Sequence, residues 1–203
     1  MKDALTPGLL LEAYSMGLFP MGEPDGTLSW HRPRHRGILP IADFHVPRRL
    51  HRYLKAHPFE VRFDTAFEDV IKGCADREET WITPVIFEAY AALHRLGHAH
   101  SAEVWRCGRL VGGVYGVSLG AAFFGESMFS RETQASKVAL VYLQRHLRDC
   151  GFRLHDTQWT TAHLAQFGGR EIPQSDYMRL LGEAIASKAN FTAGCAHKAP
   201  WSD

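Results

Sequence analysis

Four groups of residues in this 203-residue chain have types and spacings that could do chemistry. In the run GESMFSR, residues 125 to 131, Glu126 stands among small and apolar neighbours, where a carboxylate needs a partner. Asp156 and Gln158 lie two apart in a strand-like stretch, so both project to one face. Both segments follow from strand ends, where functional side chains are commonly displayed, which makes Glu126, Asp156 and Gln158 candidates for catalytic work. Each also has an ordinary structural reading, Glu126 in an ion pair and Asp156 as a cap for the next helix. The second group is His94, His98 and His100. His94 and His98 are four apart, but the intervening Arg95, Leu96 and Gly97 lack the glutamate of a zinc protease and Gly97 ends the helix, so no metal site is expected. The third group, Gly112 with Gly113 and Gly168 with Gly169, matches no nucleotide fingerprint. Gly112 and Gly113 lie in a strand pattern, where glycine marks a bulge or a close backbone approach.

The fourth group is a matter of charge. A formal net charge of +1, from 23 Lys and Arg against 22 Asp and Glu, argues as a total against a strongly basic nucleic-acid binder. Its distribution says otherwise. Residues 31 to 57 hold Arg32, Arg34, Arg36, Arg48, Arg49, Arg52 and Lys55 against Asp43 alone, a local +6 that leaves the remainder at −5. With Trp30, His31 and His35 interleaved, these cations suit phosphate contacts plus stacking on a terminal base, although a solvated face is the usual fate of such a run.

Composition bounds the rest. At 45% hydrophobic and 22% charged residues the chain is globular, with one domain or two small ones. Cys74, Cys107, Cys150 and Cys195 form no CxxC pair, which excludes a thioredoxin motif and a zinc knuckle. No run approaches about 18 apolar residues and the first residues resemble no secretory leader, so a cytoplasmic protein with reduced thiols and no membrane partner is expected.

The elements that must hold these groups follow from caps and periodicity. Thr6 and Pro7 open a helix that Gly17 and Pro20 stop, and residues 21 to 47 are turns with strand-like pieces near 28–30 and 37–41. A short basic helix over 46–57 turns Leu50, Tyr53 and Leu54 inward. This completes an expected small N-terminal domain, residues 1–58, marginal on its own. From residue 59 to 203 the pattern predicts a strand at 59–63, a helix capped by Asp64, and a helix from Pro84 to Leu96. It continues with a three-stranded antiparallel meander at 99–106, 109–117 and 121–128, and a long helix ending near Gly151. A strand at 152–158, helices at 160–167 and 175–186, and a frayed end after Ser187 complete the reading. The order is α+β and resembles the acetyltransferase-like fold. Acetyltransferases place a glycine-containing turn before the long helix to hold the CoA pyrophosphate, whereas residues 129 to 137 read FSRETQASK. That absence argues against acyl-CoA as the donor.

Taken together, YSMGLFPMGEPDGTLSWHRPRHRGILP (14 to 40), TWIT (80 to 83), GHAHS (97 to 101), GESMFSR (125 to 131) and LHDTQWTTAHLAQFGG (154 to 169) resemble the bacterial leucyl/phenylalanyl-tRNA-protein transferases, over roughly residues 8 to 185. The resemblance implies transfer of Leu or Phe from charged tRNA to the N-terminal α-amine of proteins beginning with Arg or Lys, marking them for degradation. It implies no metal and no cofactor. Gln158, bonded to Asp156, would orient the amine, and Glu126 would receive the basic acceptor peptide. Family matching points to Trp30, Trp81, Tyr90, Val114, Phe123 and Leu143 around the donor side chain and adenosine, and the seven cations would hold the tRNA. Val114 stands where the family pattern has Met, and His155 where it is aliphatic. Apolar pockets separate side chains by only about 1–3 kcal/mol per methylene, so Met is expected as a further donor. A monomer is expected. Two alternatives keep part of this reading: a peptidoglycan-branching aminoacyl transferase, which usually needs a longer chain with two such domains, and a non-catalytic RNA-binding module using residues 32 to 55.

Overall fold

The computed structural model describes residues 5–23, 25–56 and 59–193. Its centre is a seven-stranded sheet in the order β4-β5-β6-β7-β8-β3-β9. In chain order the strands are β3 (His35–Ile38), β4 (Glu60–Phe63), β5 (Ala99–Arg106), β6 (Arg109–Leu119), β7 (Ala122–Ser130), β8 (Leu154–Gln158) and β9 (Arg170–Pro173). A separate hairpin pairs β1 (Phe19–Gly22) with β2 (Leu28–His31). The meander of β5, β6 and β7 forms as expected, and its first turn uses Cys107 and Gly108 at φ 49° and 72°, the left-handed pair a two-residue hairpin favours. Among the described residues only β7 and β8 pair in parallel, because α5 (Ala135–Asp149) carries the chain from the end of one strand back to the start of the other.

Strand residues alternate between two apolar clusters. Tyr115 and Phe124 join the cluster built with α1 (Pro7–Ser15), α3 (Phe67–Ala75), α4 (Pro84–Arg95) and α7 (Gln174–Ile185), through Leu10, Tyr14, Val70, Tyr90 and Leu181. Val114 and Phe123 join the other, with Leu50 and Leu54 of α2 (Arg48–Ala56) and Val138, Leu143 and Leu147 of α5. Thr6 and Thr83 cap α1 and α4 as their sequences predict, accepting from the amides of Leu9 and Ile86.

The structure departs from the sequence reading in five places. A boundary at residue 58 does not describe it, because β3 lies inside the sheet between β8 and β9; the small N-terminal portion gains a core by lending a strand. β1 falls where the reading ends a helix and begins turns, and β9 falls on residues it leaves unassigned; each strand is only four residues long. Asp64 does not cap α3. It accepts from the Ser101 amide, while the buried Glu103 carboxylate takes the amides of Thr65 and Ala66 ahead of the helix. The helix expected over 160–167 is α6 (Ala162–Ala165), a single turn. Finally, the chain does not fray directly after Ser187: Phe191 is buried, stacks on His100 at 4.1 Å, and its carbonyl accepts from His146 at 2.7 Å. Residues 194–203 of that expectation lie outside the described residues.

Candidate active site

The site opens where the two parallel strands part. β7 and β8 pair only at Ala122 with Leu154, Phe123 with His155 and Phe124 with Asp156, and beyond these they separate. Each strand carries a bulge at the fork. On β7, Gly125 faces Gly116 and Ser127 faces Tyr115, so Glu126 is the extra residue. The bulge also reverses the alternation, which is why Phe124 and Phe129, five apart, share one cluster. On β8, Gly37 faces Gln158 and Ile38 faces Asp156, leaving Thr157 unpaired with β3. The result is a cavity of about 450 Å³, lined by Gly125, Glu126, Ser127 and Met128 from β7 and by His155, Thr157 and Gln158 from β8. Phe19, Trp81, Val114, Leu140, Trp159 and Leu164 supply apolar walls. Its size suits a small organic group.

The three carboxylate and amide residues flagged in the sequence form one hydrogen-bonded chain. Asp156 is fully buried and accepts from Arg36 Nε at 2.9 Å and Nη2 at 2.7 Å, from the Tyr177 hydroxyl at 2.6 Å, and from the Gln158 backbone amide at 2.8 Å. That last bond fixes Gln158 in a left-handed conformation, φ 58°. Asp156 therefore grips the Gln158 backbone and leaves the side chain for the cleft, where Nε2 donates to Glu126 Oε1 at 3.3 Å. Glu126 also accepts from Tyr14 at 2.7 Å and Tyr90 at 3.0 Å, hydroxyls that contact each other at 2.5 Å. Burial pushes the Glu126 carboxyl up to about 7, against the partial relief given by the two tyrosines.

A family model for leucyl/phenylalanyl-tRNA protein transferases matches residues 38–182, and a model for the N-terminal domain of the same proteins matches residues 3–34. The leucyl/phenylalanyl-tRNA–protein transferase of Cereibacter sphaeroides is 55% identical over 93% of this chain and 89% of its own length. The chain belongs to the leucyl/phenylalanyl-tRNA protein transferase family. Relatives of the same name from Ruegeria pomeroyi and Paramagnetospirillum magneticum are each 53% identical, over 94% and 92% of this chain and 91% and 92% of theirs. Among solved structures, the crystal structure of FemX matches at 13% identity and a TM-score of 0.49, over 75% of this chain and 60% of that one.

Within this transferase the cavity gathers Trp81, Val114, Glu126 and Gln158 of the expected set and leaves others apart. Phe123 and Leu143 are buried in the cluster beneath α5 and do not line the cavity. Tyr90 is buried behind Glu126. Trp30, 38% exposed on β2, stands outside the lining. Arg36 is a clear correction to the basic set. It is 0% exposed, paired with Asp156, bonded to the Gly17 carbonyl, and held between the rings of Phe19 and Tyr177, so it cannot meet a phosphate. Arg32, Arg34, Arg48, Arg49, Arg52 and Lys55 are exposed. The Tyr53 hydroxyl of α2 donates to the Thr133 carbonyl at 2.8 Å, pinning the basic helix to the loop that leads into Ser136 of the cavity wall. Sequence reasoning missed Tyr14, Tyr177, Met128, Leu140 and Trp159. A polar tip on the apolar face of α1 was the signal available for Tyr14. His94, His98 and His100 take separate partners, the Ala99 carbonyl, the Ser118 carbonyl and Asp64.

Proposed function

We propose that the chain transfers leucine, phenylalanine or methionine from a charged tRNA to the N-terminal α-amine of proteins that begin with Arg or Lys, marking them for degradation in the cytoplasm. The observation that carries this reading is the Gln158 side chain, presented to the cleft by a backbone bond to buried Asp156 and steadied by Glu126. With Nε2 donating to Glu126, the Gln158 amide oxygen is the atom left to accept from the incoming amine. The amine attacks the ester carbonyl, the C–N bond forms, the ester C–O bond breaks, and the terminal hydroxyl of the tRNA leaves as the amine gives up a proton. An aminoacyl ester is already activated and an α-amine titrates at about 7.7–8.0, so alignment is the main demand on the protein and can contribute roughly 7–11 kcal/mol. A neutral amide is a poor base. Gln158 orients the amine, and the proton passes to solvent or to the departing hydroxyl.

Glu126 offers the negative charge for a basic acceptor terminus. The apolar walls Val114, Met128, Leu140 and Leu164 suit the donor side chain, and Trp30 with the exposed cations of the 32–55 segment suits the tRNA end. No cofactor enters this reaction. The parallel fork between β7 and β8 is also the feature that supports an acetyltransferase-like reading of the sheet. The test is acceptor choice: with charged tRNA present, a peptide beginning with Arg or Lys should be labelled at its N-terminus and one beginning with Ala should not. Labelling of a muropeptide alone, or RNA binding without transfer, would favour the two alternatives.

A further inference from the structure

The bottom of the cavity is not wholly apolar. Its most buried lining residues are Leu140, Val114 and His155, exposed by 1%, 2% and 2%. Nδ1 of His155 is 2.7 Å from Gln144 Oε1, and the Gln144 amide is itself oriented by donating Nε2 to the Pro40 carbonyl at 3.3 Å. Gln144 therefore presents an acceptor, so Nδ1 carries the proton and Nε2 carries the lone pair. Burial holds the imidazole neutral, with its pKa lowered to about 3, so this assignment holds at every physiological pH. Nε2 lies against Gly125, which also lines the cavity; a Cβ at that position would sit 2.8 Å from the nitrogen. No group among the described residues donates to it.

We propose that His155 Nε2 is a specificity-determining acceptor in the donor side-chain pocket, and that the chain takes a tyrosyl donor whose phenol hydroxyl bonds to it. The proposal rests on the transferase reading above. Phenylalanine and leucine fill the same lobe and offer the lone pair no donor, whereas the tyrosine hydroxyl satisfies it. A site that offers an acceptor favours the donor able to bond to it over an isostere that cannot, while donors of the apolar class still bind through the rest of the pocket. His155 touches no reacting atom and acts on donor choice alone.

The decisive comparison uses one tRNA body charged in turn with tyrosine, para-methylphenylalanine, phenylalanine and leucine, with an Arg-initiated peptide as acceptor. Tyrosine and para-methylphenylalanine have nearly the same shape, and only the first can donate. The wild-type protein should use tyrosine about tenfold better in kcat/KM, and His155→Leu should invert that ratio. Calorimetry with the stable 3′-aminoacylamido adenosines of the same two residues reads the ratio without turnover and without any variant. Equal binding of the two by the wild-type protein overturns the proposal. A retained tyrosine preference in binding with no transfer of any amino acid would instead overturn the transferase reading.

Discussion

In the proposed reaction the chemistry turns on Gln158, and its backbone is part of the device. A left-handed glutamine costs roughly 1–2 kcal/mol relative to a relaxed backbone, and this one is held by the Asp156 carboxylate. Gln158→Gly should therefore match or exceed the wild type in thermal stability and still lose most transfer activity, with near-normal tRNA binding. A Gln158→Gly protein with full activity would remove the side chain from the mechanism. Glu126 makes a prediction about pH. Its folded pKa of about 7 lies above the ordinary carboxylate value, so the folded state holds the proton more tightly and stability falls as pH rises from about 4.5 to 7. Glu126→Gln should raise stability by about 1–3 kcal/mol above pH 7 and change little below pH 4.5, in chemical denaturation across that range. The sequence revealed the residue types of Asp156, Gln158 and Glu126; the single face expected for Asp156 and Gln158 is broken by the bulge at Thr157, which leaves Asp156 buried with Arg36 and Tyr177 and Gln158 in the cavity wall. It did not reveal that Arg36 belongs with them, because a cation in a basic run looks like its exposed neighbours until strand pairing buries it. Arg36→Leu leaves Asp156 buried and unpaired and should cost about 3–5 kcal/mol, whereas Arg49→Ala should shift stability by no more than about 0.5 kcal/mol.

At the scale of elements, the site depends on β3 lying close against the segment after β8. A Cβ on Gly37 would fall 2.4 Å from the Trp159 carbonyl carbon and 2.7 Å from the Thr160 nitrogen, backbone atoms that cannot swing away. Gly37→Ala should push residues 158–160 outward, lowering kcat more than it weakens tRNA binding; an unchanged kcat would mean that this contact does not position Gln158. Long periodic elements were legible: α1, α4, the meander and α5 appear where caps and alternation put them. β1 and β9 were not, since four residues are too few to show a period and their partners lie far away in sequence. Asp64 shows the same limit. A carboxylate before a helix reads as a cap, yet Asp64 turns to the Ser101 amide, and Glu103, brought near by the pairing of β4 with β5, takes the amides of Thr65 and Ala66 just ahead of the helix. Neither bulge at the fork leaves a mark in composition, so the opening itself could not be read from the chain.

For the whole molecule, the distribution of charge matters more than its total of +1. Six exposed cations remain for a polyanion once Arg36 is assigned to the core, and those on α2 sit on a helix tied to the cavity wall through Tyr53. The affinity for tRNA should fall as salt rises, with a logarithmic slope no steeper than about −5 for six phosphate contacts. Reversing Arg48, Arg49 and Arg52 to Glu should weaken tRNA binding severalfold or more without moving the melting temperature by more than a few degrees. A salt-independent affinity would mean that this face does not hold nucleic acid. The proposed reaction is one event, the movement of an aminoacyl group across the fork between β7 and β8. It is tested most directly by single-turnover transfer from labelled phenylalanyl-tRNA to an Arg-initiated peptide, with wild-type protein and with Gln158→Ala. Rapid labelling of the peptide N-terminus is expected with the wild type, and a loss of at least a hundredfold in the variant. Absence of labelled peptide with the wild-type protein, or equal rates for the two proteins, would contradict it.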